Sequence, residues 1–437
     1  MGTSLVPFNE IDEACLSACT AERPLNIEIE TQVPGRLDAR QLRAAVSTAA
    51  RIHPLARARL APGAPLQLRN HWQVIERLEL DPLIVVGDGR SAPKARSGVL
   101  DHPLPIENAP PFRLVLTRRR RGDRLTLIMS HVASDGIGAL RLLRSIARAY
   151  AGERDRAVRV GLREARALDR HFTRAGTPAW NRRMQAASRA QLDTWLAPAS
   201  RVAAVAGAAT GGGGVHHVRV PKRAASLLGE GPGPLTVNDR LLVALTRTIE
   251  SWNASVGARS EKISLLVPLN LRPQAWSREV VANLSLATTV ATSASERGDD
   301  DALARAIVAQ TAAAKEDRAS AGFADLYRMT ALAPNLWKRA VSRFLGATTA
   351  RRLMPTAVLS NLGKVEEPLS FGRAGRASDL WFSPPCPMPG CLGVGAVTYA
   401  DQLFLSLRYA RELLSPPAAA AFGKLLRRAI TGVVVRF

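Results

Sequence analysis

The segment Ser130-His131-Val132-Ala133-Ser134-Asp135-Gly136 separates two parts of the sequence with different periodicity. The apolar run at residues 125–129 predicts a strand before it. After it, apolar residues recur on one face of a predicted helix, at Ile137, Leu140, Leu143, Ile146, Ala147 and Tyr150. A strand-to-helix loop is a common position for functional side chains. His131 could accept a proton there, although spacing alone favours a structural histidine beside a helix-capping Asp135.

Outward from this stretch, the chain alternates strands and helices, which predicts an α/β (α+β) fold. Residues 26–33 alternate apolar and polar side chains, as a half-buried strand does, and Asp38 is a suitable cap for the helix that follows. Further strands are predicted at residues 66–68, 72–78, 112–116, 215–220, 263–267, 284–290, 357–359, 394–399 and 402–409, and further helices at 236–252, 301–315 and 415–430.

An Ala- and Gly-rich stretch at residues 199–214 is the clearest linker in the chain. It divides the sequence into a first half, residues 1–198, and a second half, residues 215–437. The proline-rich segment at residues 384–391 is stiff and extended, and we consider it a candidate crossover between the halves.

Composition narrows the classes of function. Lys and Arg number 60 against 37 Asp and Glu, a net charge of +23, which indicates either a solvated arginine-rich surface or a field that attracts anions. Zinc-finger and RNP-like patterns are missing, and aromatic residues make up only 5%, so no nucleic-acid partner is expected. The spacing of the four cysteines predicts free thiols and no metal site. With neither a signal peptide nor a membrane-spanning apolar run, we expect a cytoplasmic protein without a transmembrane segment.

Several motifs together resemble one known superfamily. The 130–136 stretch resembles the HHxxxDG motif of chloramphenicol acetyltransferase-like enzymes, which include condensation domains, alcohol acetyltransferases, polyketide-associated acyltransferases and wax ester synthases. Further matches follow in the expected order: the HPxLR-like segment at residues 53–60, Val237-Asn238-Asp239, Val267-Pro268-Leu269-Asn270-Leu271-Arg272-Pro273, Asn283 and Ser360-Asn361-Leu362-Gly363. The resemblance covers residues from about 50 to 400.

The resemblance implies a fold and a division of roles. Two similar halves would form a V with a central tunnel, and His131 would be the general base. Asp135 would pair with Arg272 to support the site, and Gly136 would permit the turn. Ser130 departs from the motif, since the family has its first histidine there. Ser130, Ser134, Asn238 and Asn361 are candidate tunnel residues, although helix capping by Asn238 and loop bracing by Asn361 are alternatives.

The function implied is transfer of an acyl group from a thioester to a hydroxyl or amine acceptor, with the hydroxyl favoured, in natural-product or lipid biosynthesis. Acyl-CoA or a phosphopantetheine-linked acyl group would be the co-substrate, with no permanently bound cofactor. A small-molecule acceptor is the expected partner and an acyl or peptidyl carrier protein a further one, for a monomeric enzyme. The alternatives are a stand-alone condensation enzyme in a peptide or polyketide pathway and a non-catalytic binding relative.

Overall fold

The computed structural model describes residues 4–21, 24–87, 98–155, 161–168, 176–205, 211–230, 235–274, 279–316, 333–338, 340, 350–385 and 392–436. The central part of the predicted linker, residues 206–210, lies outside these ranges, as do residues 386–391 of the proline-rich segment and both of its cysteines.

The described chain contains strands β1 (Ser4–Pro7), β2 (Asn26–Val33), β3 (Ala58–Leu60), β4 (His71–Val74), β5 (Leu83–Val86), β6 (Phe112–Arg118), β7 (Asp123–Ser130), β8 (Gly213–Arg219), β9 (Lys262–Asn270), β10 (Ser285–Ser293), β11 (Ala357–Val365), β12 (Trp381–Ser383), β13 (Leu392–Tyr399) and β14 (Gln402–Ala410). The helices are α1 (Glu10–Ala18), α2 (Ala39–Ile52), α3 (Gly136–Ala151), α4 (Leu162–Ala165), α5 (Pro178–Leu196), α6 (Lys222–Glu230), α7 (Val237–Ser255), α8 (Asp300–Glu316), α9 (Ala350–Leu353) and α10 (Pro416–Arg436). Short 3₁₀ turns occupy Pro54–Arg57 and Gly372–Ala374.

Two large mixed sheets carry the fold. The first has the strand order β12-β2-β7-β6-β5, and the second has the order β10-β9-β11-β13-β14-β8. A small third sheet, β1-β4-β3, joins the start of the chain to the first half. Helices α2 and α3 contribute apolar faces to the core of the first sheet, whereas α7 and α10 contribute theirs to the core of the second.

A strand from late in the chain completes the first sheet. β12 pairs with β2 so that Trp381 lies opposite Glu30 and Ser383 opposite Glu28. The core of that sheet also includes residues that follow the linker, among them Leu271, Phe382 and Tyr399. The first core is therefore built by both halves of the sequence.

The predicted strand at residues 66–68 is wrong. Residues 65–66 form a turn, and the side chains of Leu66 and Leu68 are 74% and 50% exposed. The run contains only two leucines and follows Pro65, so it has no buried face that could pair with a sheet. The strand predicted at residues 72–78 is shorter than expected, because β4 ends at Val74.

Candidate active site

The loop that carries His131 is fixed by hydrogen bonds at both ends. β7 ends at Ser130, whose backbone oxygen accepts hydrogen bonds from the backbone N–H groups of Ala133 and Ser134. The His131 N–H donates to Leu25 O at 2.7 Å, which ties the loop to the segment before β2. Asp135 then caps α3 by accepting a hydrogen bond from Gly138 N at 2.9 Å. The loop is held rigidly between a sheet and a helix.

A buried ion pair joins this loop to the second half of the chain. Arg272 donates to both carboxylate oxygens of Asp135, at 2.6 and 2.8 Å, and both side chains are almost wholly buried. Leu284 N donates to the same carboxylate at 2.9 Å, and Arg272 also donates to Ala282 O at 2.8 Å. Bidentate, charge-assisted pairs of this kind are strong and directional. The pair therefore positions the start of α3 against the start of β10.

His131 is held in one tautomer. Its Nδ1 lies 3.0 Å from Ser134 O, and a carbonyl oxygen only accepts, so the ring N–H is on Nδ1. Nε2 is left with a lone pair. Burial lowers the pKa of His131, and the hydrogen bond to Ser134 and the charge of Asp135 offset this only in part. The imidazole is therefore neutral at physiological pH, as a general base must be.

Asn283 contacts the His131 loop from the second half. Its Nδ2 donates to His131 O at 2.6 Å and lies 3.4 Å from the thiol of Cys15 on α1. Asn9 Nδ2 in turn donates to Asn283 O at 3.1 Å. Asn283 was recognised in the sequence as a motif match but not as a site residue. The motif match is the one sequence feature that points to Asn283, because the residues that it contacts lie far away in the sequence.

A cavity of about 240 Å³ opens beside His131 and lies between the two halves. The first half contributes Ile11, Ala14, Cys15 and Ala18 from α1 and Ile27 from β2, together with His131, Asp135 and Gly136. β9, β10 and β11 contribute the opposite wall, and Phe382, Pro384 and Pro385 complete it. Asp135 is the one charged side chain among the described lining residues. Burial raises the pKa of Cys15 to about 12, so its thiol is neutral in this environment.

Gly136 lies where little space remains for a side chain. A Cβ at this position would be 2.9 Å from both the Leu362 side chain and the Phe382 ring. Glycine thus allows α3 to begin directly beneath β12 and the end of β11.

The four candidate tunnel residues lie outside the lining of this cavity. Ser130 and Ser134 are buried in the loop, where the Ser134 hydroxyl donates to Asp135 O at 3.1 Å. Asn238 lies in the first turn of α7, whose cap is Thr236 in a capping box with Asp239. Asn361 Oδ1 accepts from Gly363 N at 2.8 Å and so braces the backbone of β11. Their part in binding stays a prediction.

No group of three or more His, Cys, Asp or Glu side chains in the described ranges is arranged to hold a metal ion. Within the same ranges, no helix combines the length and the apolar character needed to cross a bilayer.

Comparison with known proteins gives relatives in sequence and in structure. No protein-family model matches the chain. Two uncharacterized proteins of Mycobacterium tuberculosis, MT2362 of strain CDC 1551 and Rv2305 of strain H37Rv, are each 30% identical over 409 residues. That alignment covers 92% of this chain and 94% of the relatives.

Solved structures with a similar fold belong to peptide-synthetase domains. The cyclization-docking bidomain of EpoB from Sorangium cellulosum superposes with a TM-score of 0.67 at 17% identity, covering 98% of this chain and 85% of the other. The first condensation domain of the calcium-dependent antibiotic synthetase has a TM-score of 0.66 at 14% identity, with coverages of 98% and 96%. The starter condensation domain of rhizomide synthetase, solved in complex with C8-CoA, has a TM-score of 0.66 at 13% identity, with coverages of 99% and 95%.

These neighbours confirm the α/β fold class, which is the mixed fold of condensation domains. The chain belongs to one family with the two mycobacterial proteins.

Proposed function

We propose that this protein is an acyltransferase that moves an acyl group from a thioester to a hydroxyl acceptor, with His131 as general base. The observation that carries the proposal is the half-buried imidazole whose Nδ1 is occupied by Ser134 O and whose cavity is apolar. A base is useful only if it is neutral before the reaction, and the lowered pKa of His131 meets that requirement.

The proposed reaction has two steps on one base. Nε2 of His131 takes the proton of the acceptor hydroxyl while the hydroxyl oxygen attacks the thioester carbonyl. The C–O bond forms, and the carbonyl oxygen becomes an oxyanion. When the oxyanion collapses, the C–S bond breaks and the imidazolium returns its proton to the leaving thiolate. Asp135 and Arg272 together carry no net charge, and the Asp135 carboxylate is fully hydrogen-bonded, so the pair holds the loop without competing for this proton.

The charge of the cavity favours an ester product over an amide. An aminoacyl acceptor carries an ammonium group, which needs a carboxylate partner when it leaves water. Asp135 accepts four hydrogen bonds, from Arg272 twice and from Gly138 and Leu284. Its carboxylate is therefore already fully engaged, whereas a neutral alcohol makes no such demand on the site.

The donor is proposed to be acyl-CoA or an acyl group on a carrier protein. Both carry phosphate, and the net charge of +23 would favour their approach at low ionic strength. A stand-alone condensation enzyme that makes an amide is the second candidate, favoured by the condensation-domain neighbours. The two candidates differ in their acceptor, so one assay separates them.

The test is product mass spectrometry with a panel of acyl-CoA and acyl-carrier donors and pooled alcohols and amines. Wild type and His131→Ala are compared, with His71→Ala as a matched control, because His71 lies on β4 and does not line the cavity. We expect ester formation that falls at least about a hundredfold in His131→Ala alone. Amide products would support the second candidate. Transfer that survives in His131→Ala would exclude the proposed base, and no product with any donor would favour a non-catalytic relative.

A further inference from the structure

The wall of the cavity opposite α1 is one face of the second sheet. Side chains two residues apart on a strand point to the same side. Ser285, Ala287 and Thr289 therefore share one face of β10, and their partners on β9 follow the same rule, with Ala287 opposite Pro268 and Thr289 opposite Leu266. Val358 on β11 pairs with Leu266. We call Thr289, Leu266 and Val358 the outer row of this wall, and Ala287 with Pro268 the middle row. All of these residues line the cavity.

The residues of this wall extend from the His131 loop towards the protein surface. Its inner end is Ser285, which follows Asn283 and Leu284, the residues that bind the His131 loop. Its outer end is Thr289, which is exposed at the protein surface. Four residues of extended strand span about 13 Å. The wall thus runs from the reacting centre to the solvent.

The lining of this path is uncharged and mostly apolar, with hydroxyl groups at its two ends on Ser285 and Thr289. The middle row is Ala287 beside Pro268, and the outer row combines Leu266 and Val358 with Thr289. On the facing side, α1 presents Ile11 and Ala14, one turn apart and both small or aliphatic. No lysine, arginine or glutamate is found among the described lining residues.

Resting on the proposed function, we infer that the cavity binds an unbranched aliphatic chain of the substrate along β10, with Ala287 determining how far the chain extends. A methylene chain matches a narrow apolar path, and each buried CH₂ strengthens binding about fourfold. Ala287 is the smallest of the three residues that line the cavity from this face of β10, and it lies midway between Ser285 and Thr289. A larger residue there would close the path behind the middle row.

An aliphatic chain in this cavity has two possible sources, the acyl group of the donor and an alcohol acceptor. The two sources are separated by titrating the protein with 1-alkanols and, independently, with S-alkyl coenzyme A thioethers, which cannot transfer their chain. Neither titration needs catalysis, so failure of the proposed reaction would not affect the result. A chain-length dependence in one series assigns the chain to the acceptor or to the donor.

The variant that tests the inference is Ala287→Leu, and its matched control is Ala291→Leu. Ala291 is the next residue of β10 with the same orientation as Thr289, and it lies outside the cavity lining. We expect wild-type affinity to rise about fourfold per methylene and then to level off once the chain reaches solvent. Ala287→Leu should weaken the longest chains about tenfold or more while leaving two-carbon probes within about twofold.

Leu266→Ser serves as a second variant, since it leaves the middle row open and makes the outer row polar. It should reduce the gain in affinity per methylene only for ligands long enough to extend past Ala287 and Pro268. The inference is overturned if neither series depends on chain length in wild type, or if Ala291→Leu changes the profile as much as Ala287→Leu does.

Discussion

At His131, the environment controls which proton positions are available. Burial favours the neutral ring, and Ser134 O occupies the Nδ1 proton, so Nε2 is the basic atom. Because the pKa of His131 is lowered, the ring stays unprotonated at pH values at which an ordinary histidine, with a pKa near 6.5, is already charged. A base of this kind loses activity only when the pH falls below its own pKa.

We therefore predict that the acid limb of kcat/KM has its midpoint below pH 6.5. The measurement is a pH–rate profile with an N-acetylcysteamine thioester and a simple alcohol, since neither substrate ionises in this range. An acid limb at or above pH 6.5 would show that another group, or an unburied His131, controls the reaction.

Asn283 offers a second test at the scale of a single residue. Its amide donates to His131 O and lies 3.5 Å from Nδ1 of the ring, so Asn283→Ala frees the loop peptide and removes a neighbour of the imidazole. We predict a fall in kcat of about tenfold to a hundredfold, with KM changed less than about threefold, because small displacements of a base slow the chemical step. Asn181→Ala, at an exposed position of α5, is the control and should leave both constants near wild type. A change confined to KM would assign Asn283 to substrate binding.

Sequence reasoning reached some of these residues and missed others for a clear reason. The motif resemblance predicts roles for His131, Asp135 and Arg272; the structure brings Arg272 within 2.6 Å of Asp135, and the role of His131 as base stays a prediction. The sequence around Ala287 does not mark it as a binding residue, because alanines in strands are common. Its proposed role depends on its position in the cavity lining, which only the structure shows. Residues whose role depends on a partner far away in the chain could not be found from spacing.

At the scale of elements, the Asp135–Arg272 pair connects α3 to the strand pair β9 and β10. Removing one partner leaves a buried charge without compensation. We predict that Arg272→Met lowers the free energy of unfolding by about 3–5 kcal/mol, measured by urea denaturation. Adding Asp135→Asn to it should recover part of that loss, because the second change removes the unpaired charge.

An exposed pair provides the comparison. Lys364 and Asp401 lie 3.1 Å apart, with side chains 58% and 73% exposed. Lys364→Met should cost only about 0–1 kcal/mol, since solvent screens such pairs. If Arg272→Met proved as mild as this control, the pair could not be the anchor of the loop.

Among the elements, long periodic segments were predicted correctly, whereas strands of three or four residues were missed. β2 has the predicted bounds of residues 26–33, and α3 begins at Gly136 as expected, because their patterns continue over many residues. The strands β3, β5 and β12 were missed, since three or four residues carry no period. Their state depends on the strands beside them, as the pairing of β12 with β2 illustrates.

For the whole molecule, the linker that divides the sequence does not coincide with the boundary between the two hydrophobic cores. The linker separates residues 1–198 from the rest, whereas the first core requires Phe382, Tyr399 and Leu284 from beyond it. Arg408 also donates to Leu100 O across the halves. Cutting the chain at the linker would expose apolar residues on both sides.

We predict that residues 1–198 alone do not fold into a stable unit. Thermal unfolding followed by circular dichroism should show no cooperative transition for this fragment, while the full chain shows one. Co-expression with residues 199–437 should restore the transition, which makes it the positive control. A cooperative transition in the isolated fragment would mean that β12 is dispensable to the first sheet.

β12 also has a consequence during synthesis on the ribosome. Thr31 on β2 donates to Asp379 O, just before β12, and these partners are 348 residues apart. At about 5–20 residues per second, translation needs roughly 20–70 seconds to deliver the second after the first. Throughout that delay β2 lacks its partner strand β12, and Glu28 and Glu30 on β2 discourage its pairing with other chains.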